Sequence, residues 1–290
     1  MLKTARCTRC GNEFEVSSMV GTAMPNRGGN TAYMCQRCSS QNEWYHTTNH
    51  KNRGTEKVNK VFSGHELEVS YNDHYARNIL FEYGLIPTND SSLCGRNTCE
   101  FVSGIQSGLN IASKMADTID KLIREGHLEI NNSCGTHFHI SIDSMRDKNG
   151  NKTYMGYIGR FYHSLFVPLC EAMEADRQKT TKVFGRYFTS YAHTIDRNSS
   201  INDRYNFINV RNDSNIEFRL NKFVSGEQYK NLMKMEVEMT KCIVKNFCEH
   251  FNDTPTDTRR YPNKTSYRKH KAQVTAQKLV KLYEKYSANI

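Results

Sequence analysis

No stretch of the chain approaches the ~18 uninterrupted apolar residues of a membrane-spanning helix, so a transmembrane segment is excluded. The segment Met1 to Gly11 carries no apolar run, and a secretory signal peptide is not expected. Internal repeats and low-complexity runs are missing. Neither G-x-x-x-x-G-K-[ST] nor H-E-x-x-H occurs, which removes P-loop and zincin chemistry. Apolar residues are scarce as well, at 37% of the chain, and mean hydropathy is −0.72. Even so, 16 Tyr and 14 Phe supply large apolar surfaces, so wholesale disorder is not expected. At 290 residues the chain should hold one large domain or two smaller ones. A cytoplasmic protein without a membrane partner is the expectation.

The net charge of +10 is unevenly spread. Residues 1–60 carry a surplus of +5 and residues 251–290 one of +6, while the 190 residues between are close to neutral at −1. Two basic ends suit contact with a polyanion such as nucleic acid, and the balanced middle is where chemistry should be sought.

The 10 cysteines are not placed as in a secreted disulfide scaffold. Four form two Cys-x-x-Cys pairs, Cys7/Cys10 and Cys35/Cys38, separated by 24 residues. Two residues between cysteines let one tight turn aim both sulfurs at one metal, and two such turns complete a tetrahedral thiolate site. The pattern predicts a zinc ribbon over residues 1–50 with structural Zn²⁺; paired redox dithiols or a vestigial site are the alternatives. A role in nucleic-acid contact and a purely structural or protein-binding role stay equally open. The remaining six cysteines are expected as free thiols.

Residues 51–60 read as a polar, basic linker. Val61 to Ser70 then alternates, with Leu67 and Val69 on one strand face and Glu66 and Glu68 on the other. Thr98 to Val102 predicts a second strand carrying Glu100. Ser103 is expected to cap a helix whose stripe is Ile105, Leu109, Ala112, Ala116, Ile119 and Ile123, stopped by Gly126. Thr136 to Ile142 alternates again, with His137, His139 and Ser141 opposite Phe138, Ile140 and Ile142. One helix is expected over Met155 to Met173, strands over Arg204 to Val210 and Asn215 to Leu220, and a helix along Leu232, Met235, Met239, Cys242 and Asn246. The last 40 residues read as a basic tail with a short helix over Lys271 to Tyr286.

Separate strands thus offer Glu66 and Glu68, Glu100, His137 and His139, and Glu217 with Arg219. Each pair alone has a bland reading as a solvated or salt-bridged strand face. Together they repeat carboxylate and imidazole where a solvated face mixes in Lys, Thr and Gln, and those groups suit hard metal ions.

The order of these pieces resembles the carboxylate–amine ligase superfamily of glutamine synthetase and glutamate–cysteine ligase, and more closely the amidoligases of bacteria and their phages. The matching segments are Gly64-His65-Glu66-Leu67-Glu68, Asp90-Ser91-Ser92-Leu93, Glu100-Phe101-Val102-Ser103, Ser133-Cys134-Gly135-Thr136-His137-Phe138-His139, Arg204-Tyr205 with Asn209, and Ile216-Glu217-Phe218-Arg219. They span roughly residues 60–250, within an expected catalytic domain over 61–250; the ribbon and the tail over 251–290 lie outside the match. The resemblance implies an α+β fold, a curved antiparallel sheet funnel with helices on its outer face. It implies ATP and Mg²⁺ or Mn²⁺ as cofactors. Glu68 and Glu100 would hold one ion, and Glu66, His137 and Glu217 a second. Arg219 and Arg204 would neutralise the transferred phosphoryl group. The implied reaction joins the carboxylate and amine of amino acids, peptides or proteins through an acyl phosphate, in the bacterial host cytoplasm if the chain is phage-encoded. The residues eight positions from Glu100, where glutamine synthetase has a second carboxylate, are Ser92 and Gly108.

His137-Phe138-His139 is also similar to the His-hydrophobic-His motif of rolling-circle replication initiators, which nick DNA with a metal and a Tyr. Tyr154, Tyr157 and Tyr162 are the nearby candidates, and this reading leaves Glu66, Glu68, Glu217 and Arg219 unexplained. A third reading is a ligase-like fold without catalysis that serves as an adaptor for nucleic acid or protein.

The zinc assignment is directly testable. Purified protein should hold about one zinc on Cys7, Cys10, Cys35 and Cys38. Cys35→Ser should release it, as read by elemental analysis, and leave the remainder of the chain folded; unchanged zinc content in that variant rejects a single four-cysteine site.

Overall fold

A computed structural model describes residues 3–6, 13–23, 31–35, 61–82, 85–88, 93–94, 97–103, 106–107, 109–142, 153–210 and 215–288. The chain divides into two compact units. The first comprises Met1–Asn49, Phe62–His139 and Lys222–Lys230; the second comprises His50–Val61, Ile140–Asn221 and Asn231–Ile290. The fold class is α+β, as expected, and every strand pairing with a described register is antiparallel.

In the first unit, β1 (Thr4–Arg6) pairs with β2 (Glu13–Glu15), and β3 (Met19–Ala23) with β4 (Thr31–Cys35). The main strand is β5 (Val61–Tyr71). It pairs with β7 (Thr98–Ser103), β8 (Gln106–Ser107), β9 (Leu128–Glu129) and β10 (Thr136–Ile142), and β6 (Leu85–Thr88) completes the outer side of β7. The register sets Leu67 opposite Phe101 and Val69 opposite Cys99, all fully buried, on one face. On the other, Glu68 lies opposite Glu100 and Glu66 opposite Val102. The period-2 alternation read from the sequence therefore sorts apolar and acidic side chains as expected.

Helix α1 (His74–Glu82) opens on Asp73, whose carboxylate accepts from Ala76 N–H at 3.1 Å. Helix α2 (Asn110–Arg124) starts later than expected. Ser103 does not cap it: Ser103 belongs to β7, and its hydroxyl accepts the His65 backbone N–H at 2.8 Å. Leu109 stands at the N-cap, and the buried stripe is Met115, Ala116, Ile119 and Leu122. Gly126 does end the helix region, at φ +79°, in the left-handed conformation where glycine carries no Cβ penalty.

In the second unit, β11 (Ile208–Asn209) pairs with β12 (Ile216–Phe218). The strand expected from Arg204 is shorter because its first half is claimed by side-chain turns. Asp203 accepts from Tyr205 N–H at 2.9 Å, and Asn206 donates to the Ser200 carbonyl at 2.8 Å. The single helix expected over Met155 to Met173 is two, α3 (Thr153–Arg160) and α4 (Tyr162–Glu174), broken at Phe161. Gly156 and Gly159 weaken the first helix, and Phe161 leaves the helical path with its ring edge-on to Phe247 and Phe251. Helix α5 (Arg177–Phe184) follows, capped by Asp176.

Helix α6 (Gly226–Ile243) begins in the first unit and continues in the second, where Leu232, Met235 and Met239 are buried as expected. A π-helical turn, Val244–Cys248, extends it. The C-terminal segment is not a tail with a short helix. Helix α7 (Lys264–Ser287) runs 24 residues behind an Asn263/Ser266 capping box and packs along α4. Its inner face buries Ala272, Thr275, Ala276, Leu279 and Tyr283, and the Tyr283 hydroxyl bonds Thr180 at 2.7 Å. Among the described residues, no helix is long and apolar enough to cross a membrane.

One buried charge site stands out in α6. Glu236 and Asn221 are both fully buried, and the Asn221 side chain offsets only part of the cost of burying the Glu236 carboxyl. Burial pushes the Glu236 carboxyl well above the ordinary carboxylate range. The sign follows: the unfolded chain ionises near pH 4.5, the folded one well above it, so this residue's contribution is fully present below 4.5 and is lost as pH rises. Glu236→Gln should therefore gain on the native protein by ~1.4 kcal/mol per pH unit above that point until the folded carboxyl ionises. Urea unfolding at pH 4.5 and pH 7 measures it, and a stability difference that does not widen with pH refutes the assignment.

Candidate metal centre

The side chains singled out by the sequence fall into two groups, one in each unit. In the first unit, β5 and β10 are neighbours, so their acidic and imidazole faces meet. Glu66 is gripped by both histidines: its Oε2 lies 2.7 Å from His137 Nδ1 and its Oε1 lies 3.0 Å from His139 Nε2. One carboxylate thus fixes two imidazoles, favouring the proton on the nitrogen that faces it. His137 then turns its other nitrogen, Nε2, toward Glu68 Oε1 at 4.0 Å. Two ligand atoms on either side of an ion at ~2.0–2.3 Å stand about that far apart. Glu68 is itself positioned by the Gly135 backbone N–H, which donates to its Oε2. Its own N–H donates to the Gly135 carbonyl at 3.0 Å, closing a backbone clamp between the two strands.

These groups are not on a solvated face. His137 is 6% exposed, His139 4% and Glu68 6%, and the Glu66 side chain is 12% exposed. Glu100 sits directly opposite Glu68 on β7 and is half-buried. Carboxylates facing each other across neighbouring strands repel. A divalent cation between them converts that repulsion into binding, and oxygen with imidazole nitrogen is a donor set that Mg²⁺, Mn²⁺ or Zn²⁺ accepts. The residues therefore fit the metal that the resemblance implies.

Behind this face, His65 points the other way. Its ring lies 4.7 Å from Phe138, and its Nδ1 is 2.9 Å from the Tyr229 hydroxyl. Desolvation, with a smaller contribution from His139, holds its pKa at about 3, so it is a neutral core imidazole.

In the second unit, Glu217 is 4% exposed on β12. Its Oε2 accepts from Asn209 Nδ2 at 2.8 Å, across the β11/β12 register that pairs the two residues, and its Oε1 pairs with Arg219 Nη1. Arg219 is held by its backbone: its N–H donates to Phe207, and its carbonyl accepts from Arg186 Nη2 at 2.7 Å. Its Nε is buried without a hydrogen-bond partner among the described residues. Arg204 stands elsewhere in character, exposed in a turn with its guanidinium 5.0 Å from the centre of the Tyr205 ring.

Of the expected zinc ligands, Cys7, Cys10 and Cys38 lie outside the described residues, as does Asp90; Cys35 is described by its backbone as the last residue of β4. Of the tyrosines considered for nicking, Tyr162 is buried and its hydroxyl donates to the Ile208 carbonyl. Tyr157 stacks on Phe251 at 3.7 Å, and its hydroxyl accepts from Asn252.

Three participants went beyond the expected ligand set. His139 carried its signal in the alternation, two residues from His137 on the same face. Asn209 stood at the end of a matched segment without a role. Gly135 acts through its backbone, which no residue-type pattern reveals.

No family model matches the chain, and no curated protein matches it. Among solved structures, the chain is similar to one described as "Crystal structure of novel glutamine synthase homolog", at TM-score 0.43 and 10% identity, over 94% of this chain and 78% of that one. A likeness of that depth carries no weight beside the geometry above.

If the first-unit cluster holds a divalent ion, Mn²⁺ at a hundredfold excess over its Kd stabilises the fold by about 2.7 kcal/mol. That appears as a rise of several degrees in thermal unfolding. Glu68→Gln should abolish the rise, whereas a rise of equal size in the variant argues against Glu68 as a ligand.

Proposed function

We propose that the chain is an ATP- and Mg²⁺-dependent carboxylate–amine ligase with the curved sheet of glutamine synthetase-like enzymes. The observation that carries the proposal is the buried face of β5 and β10, where Glu66 bonds both His137 and His139 and Glu68 turns toward His137. Buried carboxylates cost folding energy unless paired or metal-bound, and a face that concentrates them beside imidazoles is built for cations rather than for stability.

In this reading Glu68 and Glu100 would hold one ion and Glu66 and His137 a second, to which the resemblance alone adds Glu217. The ions, when bound, neutralise charge on the ATP phosphates. The chain's own residues do the rest. Glu66 keeps the imidazoles oriented, and the Gly135 N–H keeps Glu68 turned inward. Arg219, prealigned by Glu217 and by its tethered backbone, stabilises negative charge on the transferred phosphoryl group, and Arg204 approaches from an exposed turn. A carboxylate is a poor acceptor for an amine because oxide is a poor leaving group. Transfer of the γ-phosphoryl group from ATP to the carboxylate releases ADP. The amine then attacks the acyl carbon, the C–N bond forms as the C–O bond to phosphate breaks, and phosphate leaves as the nitrogen gives up a proton. Amino acids, peptides or protein side chains supply the two substrates.

Of the tyrosines named for nicking, Tyr162 gives that reading nothing, since its hydroxyl is buried and engaged and burial pushes its pKa well up. The test is release of ADP and phosphate from ATP·Mg²⁺ in the presence of paired carboxylate and amine panels. Turnover should need both substrates. Glu66→Gln and Glu217→Gln should each lower it by at least a hundredfold, the loss typical for a group stabilising transition-state charge, with unchanged circular dichroism. Intact turnover in both variants, or ATP-independent DNA cleavage lost in His137→Ala, would overturn the ligase.

A further inference from the structure

The sequence places its positive charge at the two ends, yet in the second unit part of it is gathered differently. Helix α6 and its π-helical extension carry Lys234, Lys241 and Lys245 at spacings of seven and four, all exposed. Helix α7 carries Lys271, Lys278 and Lys285 at spacings of seven, with Lys281 between them. Residues seven apart return to the same helix face. The two rows adjoin, because Lys285 Nζ lies 3.1 Å from Glu238 and Lys278 bonds the Asn246 side chain. The carboxylates described on this surface are Glu238, which pairs with Lys285, Glu249 and Glu284. Like charges four apart, as in Lys241/Lys245 and Lys281/Lys285, repel rather than stabilise a helix. Packing does not require them, since the buried side of α7 is supplied by Ala272, Ala276, Leu279 and Tyr283.

We propose that this two-helix lysine surface binds the phosphodiester backbone of a nucleic-acid duplex. Lysine is a compact point charge without the planar fork that reads base edges, so the surface suits phosphates and not sequence. From Lys271 to Lys285 the row runs about 21 Å at 1.5 Å per residue, close to six base-pair steps of ~3.4 Å. A membrane is a poorer match. Helices that lie on lipid insert an apolar face, and the apolar face of α7 is already buried against the protein. The contact therefore lies on folded helices rather than on a basic tail, and it draws on residues from the segment whose net charge is −1.

The experiment uses the full chain and fluorescence anisotropy of labelled DNA and RNA duplexes of one sequence, titrated across salt. Vesicles containing phosphatidylserine are tested in parallel. Lys241, Lys245 and Lys281, which are exposed, are changed together to Glu; a control of equal charge changes Lys114, Lys182 and Arg197, also exposed, to Glu. The expected result is duplex binding that the control leaves within twofold. The triple variant should weaken it at least tenfold and flatten the slope of log K against log salt by roughly 2 to 3. A preference for DNA or for RNA then names the duplex. Equal weakening in both variants would reduce the effect to net charge and overturn the proposal. So would the absence of duplex binding, or binding to vesicles alone. Both variants must retain the parental unfolding temperature, and a Lys→Gln version of the triple should fall between parent and Glu variant.

Discussion

Strand β5 is the constraint on which the first unit depends. It is 11 residues long and finds partners in β7, β8, β9 and β10. Backbone groups this well paired leave no freedom to rotate the strand, and a slip of one residue would exchange its two faces. Leu67 and Val69 must go into the core opposite Phe101 and Cys99, so Glu66 and Glu68 must go to the other side. The core thereby dictates where the carboxylates stand. The histidines of β10 obey the same logic, with Phe138 and Ile140 fully buried on the alternate side.

What distinguishes this arrangement from an ordinary two-faced sheet is that most of its polar side is also buried, Glu66 and Glu100 in part. Thr136 through Ile140 are all buried, and so are Ile216, Glu217 and Phe218 in β12. A charge removed from water must be met by hydrogen bonds, an opposite charge or a metal. Here the answers are local: two imidazoles on Glu66, a backbone N–H on Glu68, an amide and a guanidinium on Glu217. Such partners hold the carboxylates in fixed orientations, which is what a metal or phosphate site needs before its ligand arrives.

Much of this was legible because strand alternation is a strict rule. The strands carrying Glu66, Glu100, His137 and Glu217 fall where their period-2 patterns put them. The failures share a cause: a local competitor beat a regular pattern. Ser103 reads as a helix cap, yet β7 claims its backbone and His65 its hydroxyl. Tyr205 and Asn206 read as strand, yet the Asp203 and Ser200 turns claim them. Phe161 sits within an apolar helical stripe, and tertiary packing against two phenylalanines pulls it out. Burial of the polar faces was not legible at all, because alternation says which residues share a side and nothing about what covers that side.

Charge shows the same limit from the opposite direction. Summed along the chain, positive charge belongs to the ends, and the last 40 residues read as a basic tail with a short helix over Lys271 to Tyr286. In three dimensions the helix is half core, held by Thr180 and Tyr283 and by packing along α4. Its lysines are consequently fixed in a row instead of being dispersed over a disordered ensemble. Fixing like charges side by side raises their mutual repulsion, and that cost is recovered only when counter-charge is drawn in. The acidic face of β5 and the lysine rows of α6 and α7 are thus two instances of one principle: packing on the buried side of an element forces like charges together on the other side. The sign of the charge so gathered is decided by which residues alternate with the core.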